Sequence, residues 1–159
     1  MKNYLVIGAS TGIGKALAET LAAEGHQVYG TYNKTEVSHP SIEYHHLDVT
    51  QEFNLDFLPE SLDGMAYCPG SINLLPFKRI KPEAFVEDFN LQVTGAIKAI
   101  QAAFPALKKS GHGSIVLFST VAVQTGFNFH SQVAVSKGAI EGLSKSLAAE
   151  FAPSVRVNT

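Results

Sequence analysis

The sequence predicts an α/β domain, a doubly wound parallel sheet with helices on both faces in three layers. Two observations predict it. The apolar run Tyr4-Leu5-Val6-Ile7 ends at the glycine turn Gly8-Ala9-Ser10-Thr11-Gly12-Ile13-Gly14. Beyond it, short apolar runs alternate with stretches of helical period, the pattern of a parallel sheet linked by right-handed crossovers.

Tyr4 to Ile7 is apolar throughout, as in a strand buried on both faces. Ile13, Leu17, Leu21 and Ala22 recur at helical spacing from Gly12 to about Glu24, and Gly25 ends that helix. Gln27 to Tyr32 reads as a second strand and Ile42 to Leu47 as a third, closing at Asp48. Gly64 to Cys68 is a weaker fourth, followed by a loop at Pro69-Gly70. Pro82 opens a helical pattern that runs to about Lys109, with a break near Asn90. Ser114 to Phe118 is a strand. Ser131 to Phe151 is a long helix carrying Ile140, Leu143, Leu147 and Phe151, and Pro153 stops it. Val155 to Thr159 starts another strand.

The 159 residues suit one domain, residues 1–159. No repeat or low-complexity stretch divides it, and the linker-like Asn33 to Ser41 is too short to do so. A strand opening at the last residues reads as the N-terminal portion of a longer chain. The composition, 45% hydrophobic and 16% charged, is that of a globular protein. A net charge of -2 points to no nucleic-acid or anionic-membrane partner. No apolar run approaches the roughly 18 residues of a spanning helix. One cysteine, Cys68, cannot form an internal disulfide, which fits a reducing, cytoplasmic setting. His45-His46 has no HxxxH or CxxC pair beside it, so no metal site is expected.

The spacing Gly8-x3-Gly12-x-Gly14, between strand and helix, suits a dinucleotide phosphate. Glycine permits the tight turn and close approach to a pyrophosphate. The helix N-terminus offers free N–H groups and partial positive charge. Ser10 and Thr11 can add hydroxyl donors. A plain strand-to-helix turn is the alternative, and the order of strand, turn and helix favours the cradle. The second strand closes at Thr31-Tyr32-Asn33-Lys34, without a carboxylate to grip a ribose 2′-hydroxyl. Lys34 is placed to attract a 2′-phosphate, which favours NADP(H) over NAD(H). A solvated loop lysine is the other reading.

The glycine turn and five later motifs make the chain resemble the short-chain dehydrogenases/reductases, over its whole length and in the family's order. The turn matches TGxxxGxG, with Ile7 where threonine is usual. Asp48-Val49 is similar to the pair whose aspartate holds the adenine. Phe89-Asn90-Leu91 is similar to the segment with the proton-relay asparagine. Gly113 to Thr120 is similar to the strand ending at the catalytic serine. Ala134 to Ala139 resembles the helix with YxxxK, which makes Lys137 the lysine that grips the nicotinamide ribose. Val155-Arg156-Val157-Asn158 matches the next strand. The resemblance implies a Rossmann-like fold, hydride transfer between nicotinamide and a carbonyl or secondary alcohol, and a small-molecule substrate. It also implies a lid and last strand beyond Thr159, and a homodimer or homotetramer through the helices at 93–109 and 131–151.

Three departures stand out. The turn after the fourth strand is Tyr67-Cys68-Pro69-Gly70, keeping only the glycine of NNAG. Thr120, with Ser119 beside it, stands at the serine position, thirteen before the tyrosine position. Val133 occupies the tyrosine position, four before Lys137. In the family that tyrosine gives the carbonyl oxygen its proton, with a pKa lowered by the lysine. Valine has no proton to give, and general acid catalysis contributes about 10²–10⁴-fold. His130, Tyr67 or a water held by Lys137 and Thr120 are the replacements open to the chain. A nucleotide-binding or regulatory module without turnover is the second function the sequence allows.

Overall fold

The computed structural model of the protein describes residues Met1–Thr159. Its centre is one six-stranded sheet of β1 (Asn3–Ile7), β2 (Gln27–Tyr32), β3 (Ile42–His46), β4 (Gly64–Tyr67), β5 (Gly113–Val116) and β6 (Val155–Asn158). The spatial order is β3-β2-β1-β4-β5-β6, with every pairing parallel. The order reverses between β1 and β4, so a crevice opens there outside the strand ends.

Helices α1 (Gly12–Ala23), α2 (Pro82–Phe89), α3 (Gly95–Lys109), α4 (Ala122–Thr125) and α5 (Ser131–Phe151) complete the fold. Successive strand residues face opposite sides, and the core divides accordingly. Leu5, Ile7, Met65, Ile115 and Val157 pack with Ala96, Ala99, Ile100, Ala103, Leu107 and Ile140 of α3 and α5. Val6 and Val28 pack with Ala18 and Ala22 of α1 on the other face. Doubly wound α/β architecture is therefore what this chain adopts.

Gly25 closes α1 as its sequence position predicts. It sits at φ +83°, its N–H reaches Ala22 C=O at 3.0 Å, and His26 N–H reaches Leu21 C=O at 3.1 Å. These two bonds satisfy carbonyls the helix leaves open. The predicted break near Asn90 is a single π-helical turn, Asn90–Thr94, between α2 and α3. Strands β3, β4 and β5 stop one or two residues before the apolar pattern does. The short α4 and a 3-10 turn at Phe77–Arg79 lie where no periodicity marked them.

Candidate functional site

The glycine turn joins β1 to α1, and its geometry accounts for each glycine. Gly8 and Gly12 have φ of +79° and +55°, a region that L side chains rarely adopt. At Gly14 a Cβ would overlap the carbonyl oxygen of Gly8, so helix and strand meet at this distance only without a side chain. Thr31 of β2 pins the loop. Its Oγ1 accepts the Gly8 N–H at 3.0 Å and its carbonyl accepts the Ala9 N–H at 2.7 Å.

The N-terminus of α1 is open. Thr11 occupies the capping position in extended conformation, but no side chain caps the helix and no acid lies in its first turn. The first amides of the helix have no acceptor within it. They face a cleft of about 440 Å³ walled by Gly8, Ser10, Thr11, Gly12, Ile13, Gly14, Asn33, Lys34, Val49 and Gly70. An uncapped positive helix end beside glycines of positive φ, with Gly14 packed too close for a Cβ, suits a pyrophosphate. A second lobe continues past Lys34 to Asp48, Thr50, Ser71 and Asp88. Asp48 Oδ1 accepts the Thr50 hydroxyl at 2.6 Å and the Thr50 N–H at 2.9 Å. Those bonds hold its carboxyl below the usual range, so it stands ionised at the cleft edge.

Lys137 closes the far end. Its ammonium lies 3.8 Å from where a Gly70 Cβ would stand, so the lysine points into the strand-end crevice. Burial lowers its pKa, and the Asp88 carboxylate opposes that shift, as does Cys68 once ionised. Cys68 itself is pushed up to about 11 by burial, with Lys137 pulling the other way, so it stays a thiol at neutral pH.

The structure gathers some expected residues and separates others. Val133 is buried at 6% exposure. Ser119 and Thr120 open into a neighbouring cavity with Glu141, Lys145 and Asn158, and Ser119 Oγ donates to Glu141 Oε1 at 2.7 Å. Thr120 Oγ1 accepts the Ala122 N–H at 3.3 Å. Asn90 is exposed, its amide oxygen accepting the Thr94 hydroxyl at 3.3 Å, so the structure does not bring it to the site. The inward residue is Gln92, because the π turn rotates the chain between α2 and α3. His130 precedes α5, and its ring nitrogen Nδ1 donates to Asn128 C=O at 2.8 Å. Tyr67 is committed elsewhere. Its hydroxyl donates to Leu91 C=O at 2.6 Å, and burial drives its pKa far upward. It holds the π turn and offers no proton at neutral pH.

The sequence matches the short chain dehydrogenase family over residues 2–159. The chain belongs to that family. It is 32% identical, over 97% of its length, to a protein named as ketoacyl reductase 2 of the granaticin polyketide synthase, from Streptomyces violaceoruber. It is 29% identical, over 95% of its length, to the 3-oxoacyl-acyl-carrier-protein reductase of Escherichia coli. It spans 69% and 68% of those two relatives. Of a 3-ketodihydrosphingosine reductase from Bacteroides thetaiotaomicron, 26% identical, it spans 58% while 94% of the chain is matched. Among solved structures, a short chain dehydrogenase family protein from Francisella tularensis superimposes with a TM-score of 0.90 at 30% identity. That match covers 100% of this chain and 68% of the other. Short-chain dehydrogenases are oxidoreductases that bind NAD(P)(H), and no helix of this member is long and apolar enough to cross a membrane.

Four site residues of this short-chain dehydrogenase escaped the sequence reading: Thr31, Asp88, Gln92 and Ser136. All are buried polar residues. The only sequence signal for Asp88, Gln92 and Ser136 was polarity at positions where helical periodicity calls for apolar side chains.

Proposed function

We propose that this domain binds NADP(H) and serves reduction of a carbonyl, or oxidation of the secondary alcohol. One observation carries the reading. Lys137 points at Gly70, a wall of the same cleft whose other end is the uncapped N-terminus of α1. In this reading the amides of Gly12 to Gly14 take the pyrophosphate, with Ser10 and Thr11 adding donors. Asn33 and exposed Lys34 take the 2′-phosphate, while Asp48 and Val49 border the adenine. Lys137 takes the nicotinamide ribose at Gly70. When bound, the nicotinamide supplies a hydride to the carbonyl carbon.

The carbonyl oxygen then needs a proton and a donor to orient it. Thr120 polarises that oxygen, its Oγ1 only accepting from Ala122 N–H, or Ser119 does so after leaving Glu141. Val133 leaves the proton to other groups. His130, three residues before Val133, is the side chain this reading assigns to that duty; its Nδ1 donates to Asn128 C=O. A 3-ketoacyl thioester is the first substrate to try, since two relatives are named for ketoacyl or 3-oxoacyl reduction. The groove of Ile97, Phe104, Leu143 and Leu147 supports a homodimer or homotetramer through α3 and α5, checked by light scattering.

The test is a fluorescence titration with NADPH and NADH, then an assay of ketone reduction in the parent and in Val133→Tyr. NADPH binding with slow parent turnover, raised about 10²-fold or more by the substitution, supports the reading. Loss of parent activity in His130→Ala assigns the proton to that ring. Binding with no turnover in either form leaves a nucleotide-binding module. Failure to bind either nucleotide overturns the proposal.

A further inference from the structure

Behind Lys137 lies a buried carboxylate that the proposed chemistry does not use. Asp88 on α2 is 4% exposed. Neutral donors surround it. Ser71 Oγ donates to Oδ1 at 2.7 Å and Ser136 Oγ to Oδ2 at 2.6 Å. Gln92 Nε2 lies 2.8 Å from both oxygens and 3.2 Å from Ser71 C=O. A carboxylate only accepts, so the Gln92 amide nitrogen must face it and the amide oxygen must face away. That oxygen, Oε1, is buried without a donor. It lies 3.4 Å from the position of a Gly70 Cβ, and the Lys137 ammonium lies 3.8 Å from that same position.

A buried charge held only by neutral donors costs several kcal/mol of desolvation. Lys137 is the cation on which its charge acts. We propose that Asp88 is a positioning residue for Lys137. It grips Gln92 and Ser136, turns Gln92 Oε1 to the Gly70 side where the ammonium also lies, and sets a negative charge near that ammonium. The consequence is an ammonium kept charged and aimed at Gly70 in spite of its burial. Use of that ammonium on a ribose rests on the proposed cofactor reading; the anchoring does not.

Other ionisable groups on the elements packed against α5 are placed differently. Glu83 and Glu87 on α2 and Arg156 on β6 are exposed. On α5 itself Glu141 is bonded to Ser119, Lys145 and Glu150 are exposed, and His130 at its start is bonded to Asn128. Cys68, half-buried beside Lys137, is a thiol at neutral pH.

The test reads Lys137 directly, by amine-specific labelling followed by mass spectrometry across pH, without cofactor. Only the neutral amine reacts. Asp88→Asn removes the charge, so labelling at pH 8 rises by roughly threefold or more. Ser136→Ala removes one hydrogen bond and keeps the charge, so labelling stays within about twofold of the parent. Equal labelling of Lys137 in parent and Asp88→Asn, both folded by circular dichroism, overturns the proposal. If Asp88→Asn does not fold, Gln92→Leu decides. The substitution takes from Asp88 the amide that holds both its oxygens, so labelling of Lys137 shifts if this cluster sets the ammonium, and unchanged labelling overturns the proposal. Added NADPH gives a separate reading. If the variants shift labelling but NADPH never protects Lys137, Asp88 keeps its role and the cofactor reading fails.

Discussion

The two ends of the cleft are built from different materials. At α1 the work falls to backbone: amides of an uncapped helix, glycines with positive φ, and a threonine whose bonds go to main chain. At α5 it falls to side chains, with Asp88, Gln92 and Ser136 hydrogen-bonded under cover beside half-buried Lys137. Backbone recognition tolerates change in most side chains but not at a few glycines. A side-chain cluster can trade members while keeping its charge balance. That contrast explains how the chain keeps the family's glycine spacing while its tyrosine position is Val133 and its inward amide is Gln92.

The largest effect should come at the backbone end. Gly14→Ala drives a methyl into the Gly8 carbonyl, a main-chain atom that cannot swing aside. A loss of about 3 kcal/mol in chemical denaturation, with nucleotide binding abolished, is expected. Wild-type stability in this variant would break the contrast.

The next test sits between the ends, at the π turn. Tyr67→Phe strands the Leu91 carbonyl and should cost about 2 kcal/mol. Gly95→Ala clashes with the same hydroxyl, and a Cβ there would also lie 3.1 Å from Val49. The double variant should therefore lose less than the sum of the singles. Strict additivity in a double-mutant cycle would show that hydroxyl and glycine are not coupled.

Lys34→Ala should weaken NADPH by about tenfold, the worth of one charged hydrogen bond, and leave NADH unchanged. Equal weakening of both nucleotides would remove Lys34 from any role in choosing between them.

The smallest effect is at Asp48. Its folded pKa lies below the value of 3.8 it has when free, because Thr50 donates to the charged form. The stability it contributes is present above that value and fades as acid carries the pH through the folded pKa. Asp48→Ala should cost under about 1 kcal/mol at pH 7, given solvent screening, and almost nothing near pH 2. A penalty that persists in acid would point to packing instead of charge.

Strands, helices and cradle were legible because they rest on local chemistry. The apolar run before Gly8 needs only periodicity to be read, and Gly25 only the rule for helix ends. Asn90 shows where that reading stops. The resemblance points to Asn90 and the helical pattern to a break there, but the side chain that the π turn Asn90–Thr94 buries is Gln92, while Asn90 is exposed. Tyr67, distant in sequence, takes the Leu91 carbonyl within that turn and fills the space beside Gly95.

By itself the sequence determined the doubly wound topology and the glycine cradle, since both follow from residue spacing over a few turns of chain. Tertiary structure alone decided which polar groups meet at Lys137. Asp88 and Ser136 are separated by 48 residues and joined by a hydrogen bond of 2.6 Å. Such a contact depends on how α2 and α5 pack against one another, and no local pattern encodes that distance.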